Sequence, residues 1–215
     1  MKNDFKSGFV TLIGRPNVGK STLMNYLIGQ KIAITSNKPQ TTRNRIQTVL
    51  TTDEGQIVFV DTPGIHKAKN KLGDYMVKQV TDSVGDVDCA VFVTDPFGDI
   101  TESELALIEN IKELHLPAIL VINKIDALAN KEDMVKKMVA ISKLYDFEQV
   151  VPISVRVKDG TDLLLSLIQQ QAQEGPHFFP NDTLTDQPEK VIVAEIIREK
   201  VLRNMRDEIP HGTAV

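Results

Sequence analysis

Apolar and polar positions follow one another in blocks along this chain. Residues 9–13 form a short apolar run that opens directly into Gly14, and beyond Lys20 the apolar residues Leu23, Leu27 and Ile28 recur at helical spacing. That pattern predicts strand, loop and helix in order. A polar stretch covers residues 31–45, after which residues 46–52 and 56–60 are two β-prone runs separated by Asp53, Glu54 and Gly55. They read as a hairpin and place one antiparallel strand in the sheet. Further apolar strands are expected at 89–93, 118–122 and 150–153, separated by helical patterns at 74–84, 102–114 and 131–144. Thr101 with Glu104 has the form of a capping box, and Thr161 is a candidate cap for a helix over 162–173. Strands alternating with helices predict an α/β domain with a doubly wound, mostly parallel sheet, in which ligands bind outside the carboxyl ends of the strands.

The pattern changes at residues 175–188, which hold one glycine and three prolines among Asn, Asp and Thr and read as a linker. Residues 189–206 carry an amphipathic helix pattern with Val193, Ile196, Ile197, Val201 and Leu202 as its apolar positions, and 209–215 has the character of an opening strand. One helix and part of a strand cannot bury a core alone, so this piece must dock on the first domain, pair elsewhere or stay poorly ordered. The expected division is a domain at 1–174, a linker at 175–188 and an incomplete second domain at 189–215, the chain ending inside that second unit.

Composition narrows the class without choosing the partner. Among 215 residues, 41% hydrophobic side chains suffice for a core, and a formal net charge of −4 lacks the basic bias that would itself indicate nucleic-acid binding. The single cysteine, Cys89, excludes an intrachain disulfide and a thiolate zinc site and fits a reducing compartment. The first residues lack a signal-peptide core, and no apolar run approaches the roughly 20 residues needed to cross a bilayer. A cytoplasmic location is expected.

Three motifs carry chemistry. Gly14-Arg15-Pro16-Asn17-Val18-Gly19-Lys20-Ser21 fits G-x-x-x-x-G-K-[ST] and lies between a strand and a helix, where successive backbone N–H groups and the helix N-terminus can cradle phosphates. Lys20 is expected to meet the β- and γ-phosphates and Ser21 to bind Mg²⁺, with Thr22 continuing the nucleotide-binding run. Asp61-Thr62-Pro63-Gly64 follows an apolar strand, so Asp61 is a candidate Mg²⁺ residue and the Gly64 N–H a γ-phosphate sensor. Alone it is a common turn sequence; its position 40 residues after the first motif gives it weight. Asn123-Lys124-Ile125-Asp126 ends a third strand. The Asp126 carboxylate can accept both the N1–H and the exocyclic amino N–H of guanine, which adenine cannot offer, so the expected ligand is GTP or GDP and an ATPase reading is disfavoured.

In this order the motifs match translation-factor-class GTPases, and the chain most closely resembles the bacterial Era family, ribosome-assembly GTPases with a C-terminal RNA-binding KH domain. Gln40-Thr41-Thr42-Arg43, Asp61-Thr62-Pro63-Gly64-Ile65-His66 and Ala194-Glu195-Ile196-Ile197-Arg198-Glu199-Lys200 carry the likeness together with the first motif, across nearly the whole chain. The resemblance implies that Thr42, rather than Thr41, reaches Mg²⁺ and the γ-phosphate, so that losing this phosphate releases the segment. Residues 189–215 would then be the start of a KH-type α+β domain. It further implies 16S rRNA and the small ribosomal subunit as partners, and peripheral membrane association.

Two positions depart from related patterns. Ras-like enzymes orient the attacking water with a Gln after Asp-x-x-Gly, whereas Ile65 can do no polar work here. Asn17 is placed as in GTPases that recruit K⁺ to the phosphates, which makes K⁺ a candidate second cofactor and puts Asn17, Lys20, Thr42 and Gly64 in the expected catalytic set. Ser154-Val155-Arg156 stands where Ser-Ala followed by Lys is usual, yet a backbone N–H near Val155 can still meet guanine O6. His66, His115, His177 and His211 lack ligand spacing, while Arg43, Arg45, Lys67, Lys69 and Lys71 make the expected switches basic. Two functions follow: a GTP-hydrolysing switch, or an rRNA-binding factor in which hydrolysis is only a timer. No Gly-x-x-Gly loop of the KH type follows Pro188, so these residues are expected to hydrolyse GTP and to bind RNA poorly.

Overall fold

A computed structural model describes residues 5–33, 46–61 and 87–204, with the side chains of Asp61, Leu202 and Arg203 excepted. The expected helix at 74–84 and strand at 209–215 lie outside the described residues, as do Gln40, Thr41, Thr42, Arg43, Arg45, Thr62, Pro63, Gly64, Ile65, His66, Lys67, Lys69, Lys71 and His211.

The first strand, β1 (Lys6–Ile13), runs into the glycine loop and then α1 (Lys20–Ile28). The hairpin forms as β2 (Ile46–Thr51) and β3 (Gly55–Asp61), antiparallel to each other. There follow β4 (Cys89–Thr94), α2 (Glu102–Glu113), β5 (Ala118–Ile122), α3 (Lys131–Ser142), β6 (Gln149–Pro152), α4 (Thr161–Gln171), β7 (Gln173–Glu174) and α5 (Glu189–Asn204). Among the described residues the sheet order is β2-β3-β1-β4-β5-β6, with β1 parallel to β3 and β4, β4 to β5, and β5 to β6. The chain builds outward from β1 first in one direction and then in the other. That reversal opens a crevice at the carboxyl end of β1, where the glycine loop sits.

Period-two alternation along the central strands feeds two cores. Val91, Val93, Ile119 and Val121 face the layer of α1 and α4 with Leu23, Leu27, Leu164 and Ile168, whereas Ala90, Phe92, Leu120 and Ile122 pack beside Leu107, Ile111 and Ile141 of α2 and α3. Cys89 is buried in the first core, and burial pushes its thiol up to about 12. No helix among the described residues is long and apolar enough to cross a membrane.

The capping box forms as expected: the Glu104 N–H donates to the Thr101 hydroxyl and the Thr101 N–H to Glu104 Oε2. Two expectations need correction. Thr161 is the first residue of α4 and not its cap; Gly160 takes the cap position, and the Thr161 hydroxyl bonds Tyr26 across the fold at 3.2 Å. That helix ends at Gln171, because Gln173 and Glu174 pair antiparallel with Ser7 and Lys6. On α5 the buried positions are Arg198 and Glu199, while Val193 and Ile197 are 54% and 47% exposed. Glu199 Oε1 meets Lys31 Nζ at 2.7 Å, tying the helix to the residues after α1, and Arg198 pairs with Glu195 along the helix itself.

Residues 175–188 are bonded to the sheet at several points. The buried Gln56 side chain accepts from the Phe178 and Phe179 N–H groups at 2.8 and 2.9 Å and donates to the Phe179 carbonyl at 3.0 Å. Farther on, Val49 N–H donates to the Leu184 carbonyl and the Thr185 hydroxyl to the Gln47 carbonyl. This segment covers the outer edge of β2, meeting hydrogen-bond needs that an edge strand otherwise leaves to solvent.

Candidate nucleotide site

The glycine loop needs backbone shapes that side chains resist. Gly14 and Gly19 have φ of 151° and 102°; a Cβ on Gly14 would overlap the Val93 carbonyl oxygen, and one on Gly19 would overlap the Asn123 side-chain amide. The loop therefore lies tight against β4 on one side and the base-recognition motif on the other. Lys20 is buried, and its ammonium group donates to the carbonyls of Gly14 and Arg15 at 2.9 and 3.1 Å, which arches the side chain over the loop. Ser21 stands in the first turn of α1, half-buried, beside exposed Thr22. Val18 is wholly buried in the core beneath, and Asn17 is exposed in a left-handed conformation with φ of 64°.

The base motif is bonded to this loop at several points. Asn123, 3% exposed, donates from Nδ2 to the Val18 carbonyl at 2.8 Å, while its Oδ1 accepts from the Lys124 N–H at 2.8 Å and from the Val155 N–H at 3.4 Å. Lys124 reaches back across the cleft, its ammonium group donating to the Asn17 carbonyl at 2.5 Å. Asp126 accepts a 2.6 Å hydrogen bond from the Ser154 hydroxyl and lies 3.7 Å from the Arg156 guanidinium. Ser154 is itself buried and held by paired backbone bonds to Asp159, so Asp126 is aimed by a rigid turn.

Gly14, Arg15, Pro16, Asn17, Val18, Gly19, Lys20, Ser21, Thr22, Asn123, Lys124, Asp126, Ser154 and Val155 thus gather at one end of the sheet. The backbone of Asp61 ends β3 beside Leu12 and Ile46, at the same end; Thr42, Thr62, Pro63 and Gly64 fall outside the described residues. Two carboxylates add contacts that the motifs do not specify, Asp95 and, beyond its expected capping role, Glu104. Asp95, directly after β4, pairs with Arg15 and lies 3.6 Å from Lys124 Nζ. Glu104 is wholly buried, accepting from the Thr94 hydroxyl at 2.5 Å with the Lys137 ammonium 3.8 Å away. Burial alone would raise its pKa, but the hydrogen bonds from Thr94 and Thr101 and the Lys137 charge hold its carboxyl below the ordinary 4.5. The one available signal was an acidic residue at a predicted strand end, which Asp95 supplies and which the motif search passed over. Among the described residues no cluster of three or more His, Cys, Asp or Glu side chains could hold a metal by itself.

Residues 9–124 match the family model described as 50S ribosome-binding GTPase. Over 211 residues the chain is 52% identical to GTPase Era of Clostridium botulinum (strain Alaska E43 / Type E3), covering 98% of this chain and 71% of that protein. A crystal structure of Era in complex with MgGDPNP and nucleotides 1506–1542 of 16S ribosomal RNA superposes with a TM-score of 0.90 at 38% identity, over 96% of this chain and 70% of that one. A variant of Aquifex aeolicus Era bound to GDP and AlF4⁻ gives 0.89 at 38% identity, over 95% and 70%.

Proposed function

The chain belongs to the Era family of GTPases, and on that premise we propose how its own residues bind and hydrolyse GTP. It is a GTP-binding and GTP-hydrolysing switch with a role in ribosome assembly. The observation that supports this most is the bonding of the base motif to the phosphate loop, Asn123 to Val18 and Lys124 to Asn17, which makes one cradle long enough for a base and its phosphates.

In that cradle the backbone N–H groups of 14–21 and the start of α1 face the phosphates, and Lys20 leaves the loop carbonyls for the β- and γ-phosphate oxygens. Ser21, Asp61 and Thr42 would hold Mg²⁺, which when bound neutralises charge building on those oxygens. An alcohol and a carboxylate at the ends of adjacent elements are the hard oxygen donors that Mg²⁺ selects. Asp126, aimed by Ser154, takes the two guanine N–H groups, with the Val155 backbone near O6. The Gly64 N–H senses the γ-phosphate together with Thr42, and Thr62 and Pro63 belong to the same nucleotide-binding run. Hydrolysis transfers the γ-phosphoryl group to water, giving GDP and phosphate. Since Ile65 cannot orient that water, we propose that Asn17 would hold K⁺, which would supply the positive charge that an arginine finger supplies in other GTPases.

We assign residues 1–174 to the GTPase domain, 175–188 to a connecting segment and 189–215 to the start of a KH-type domain. Era in the complex described above holds a 16S rRNA segment, and 16S rRNA in the small subunit is the partner we propose here, bound only weakly by these 215 residues, which carry no Gly-x-x-Gly loop after Pro188. The alternative, in which hydrolysis only times RNA binding, shares this site. A cytoplasmic location fits the lone buried thiol, and peripheral membrane association is a further property of the resemblance. Single-turnover hydrolysis tests the reading. With Mg²⁺, bound GTP should be cleaved faster in KCl than in NaCl at equal ionic strength, an advantage lost in Asn17→Ala. Equal rates in the two salts would remove K⁺, and bound GTP that persists uncleaved in both would overturn the hydrolase.

A further inference from the structure

Resting on that nucleotide site, we propose that Asp95 is a positioning residue that clamps the phosphate loop to the base loop and thereby sets how long a guanine nucleotide stays bound. It is the first residue beyond β4 and only 6% exposed. Its Oδ1 accepts from the Arg15 guanidinium and, at 3.3 Å, from the Phe97 N–H; its Oδ2 lies 3.6 Å from Lys124 Nζ. Lys124 in turn donates to the Asn17 carbonyl. One carboxylate therefore engages a side chain from each loop, and the same two loops must keep a fixed separation if a base and its phosphates are to be gripped together.

The phosphate-loop motif leaves the residue at 15 unspecified, so nothing in that motif demands an arginine there. Arg15 has a second anion as well, Glu104, 3.6 Å from its Nε. Of these contacts the Arg15–Asp95 pair is a charge-assisted hydrogen bond, which fixes orientation as well as adding energy, while those to Glu104 and from Lys124 act as ion pairs at longer range. Without the Asp95 carboxylate the Asn123–Val18 bond still joins the loops, but Arg15 and Lys124 lose the anion between them. A nucleotide spanning both loops then leaves sooner. Guanine preference stays, because it rests on Asp126 and Ser154, which take no part in this cluster.

Stopped-flow release of a fluorescent GDP from the whole chain tests the clamp in the wild type, Asp95→Ala, Asp95→Asn, Arg15→Ala and the Asp95→Ala/Arg15→Ala double variant. Binding by the wild type checks the nucleotide site first; its failure would sink that site and not the clamp in particular. Release should quicken by about tenfold in Asp95→Ala, with association changed far less, since altered contacts act mostly on dissociation. Asp95→Asn keeps the side-chain volume and the Phe97 bond, so it should also release GDP faster if charge is what matters. The double variant should be no faster than Asp95→Ala, since the Arg15 arm is already lost with the carboxylate and coupled partners do not add. Unchanged release in both Asp95 variants, additive effects of Asp95→Ala and Arg15→Ala, or a collapse of guanine preference over adenine would each overturn the proposal.

Discussion

The two ends of this sheet are held by different means. At the carboxyl ends of β1, β4 and β5 the loops are joined by side chains, Asn123 to Val18, Lys124 to Asn17, Asp95 to Arg15 and Ser154 to Asp126, and these are also the groups that address a ligand. At the outer edge, β2 is covered by residues 175–188 through backbone pairing and one buried amide, Gln56, with no chemistry attached. A change in the first region should reach nucleotide binding before or together with stability. A change in the second should reach stability alone.

The hardest blow to the first region is Gly14→Ala. Its side chain would press on the Val93 carbonyl from a backbone conformation that L-residues rarely adopt, so thermal unfolding should show a loss of roughly 3 kcal/mol or more, with nucleotide binding abolished. A variant with normal stability and affinity would break the claim that the loop is fixed by this contact. Gln56→Ala removes the partner of two N–H groups and a carbonyl, and should cost about 2 to 3 kcal/mol in chemical denaturation while GDP affinity stays constant. A matching loss of affinity would erase the distinction between the two regions.

Glu104→Gln should cost about 2 kcal/mol at neutral pH, because buried Lys137 loses its anion and the single amide oxygen replaces only one of the two carboxylate oxygens that accept from Thr94 and from Thr101. The pH dependence has a definite sign. The folded carboxyl titrates below the ordinary 4.5, so the unfolded chain takes up the proton first, and the contribution is complete above that value. It disappears as pH falls through the lower folded value. The gap between wild type and Glu104→Gln in denaturation curves should therefore close on acidification from pH 5; a gap that widens would contradict the assignment.

Much of the nucleotide end was legible in the sequence because its rules are local. A glycine loop between strand and helix, a carboxylate at a strand end and Asn-Lys-x-Asp after another strand each depend on a few neighbouring residues. The edge was not legible. Gln56 meets Phe178 and Phe179 more than a hundred residues later, and a stretch rich in Pro, Asn and Asp carries no mark of the strand it will cover. Nor does apolar spacing show which residues of α5 meet this domain: Glu199 meets Lys31, distant in sequence, while Val193 and Ile197 stay exposed. Asp95 escaped notice because its meaning comes from two cations in other loops.

The central claim is that this site selects guanine through Asp126, and equilibrium binding of GDP and ADP to the chain and to Asp126→Ala tests it most directly. The wild type should prefer GDP by a factor on the order of 10⁴, as sites built to hydrogen-bond a ligand do, and the variant should lose most of that preference. Comparable affinities for GDP and ADP in the wild type, or a preference that survives in Asp126→Ala, would contradict it.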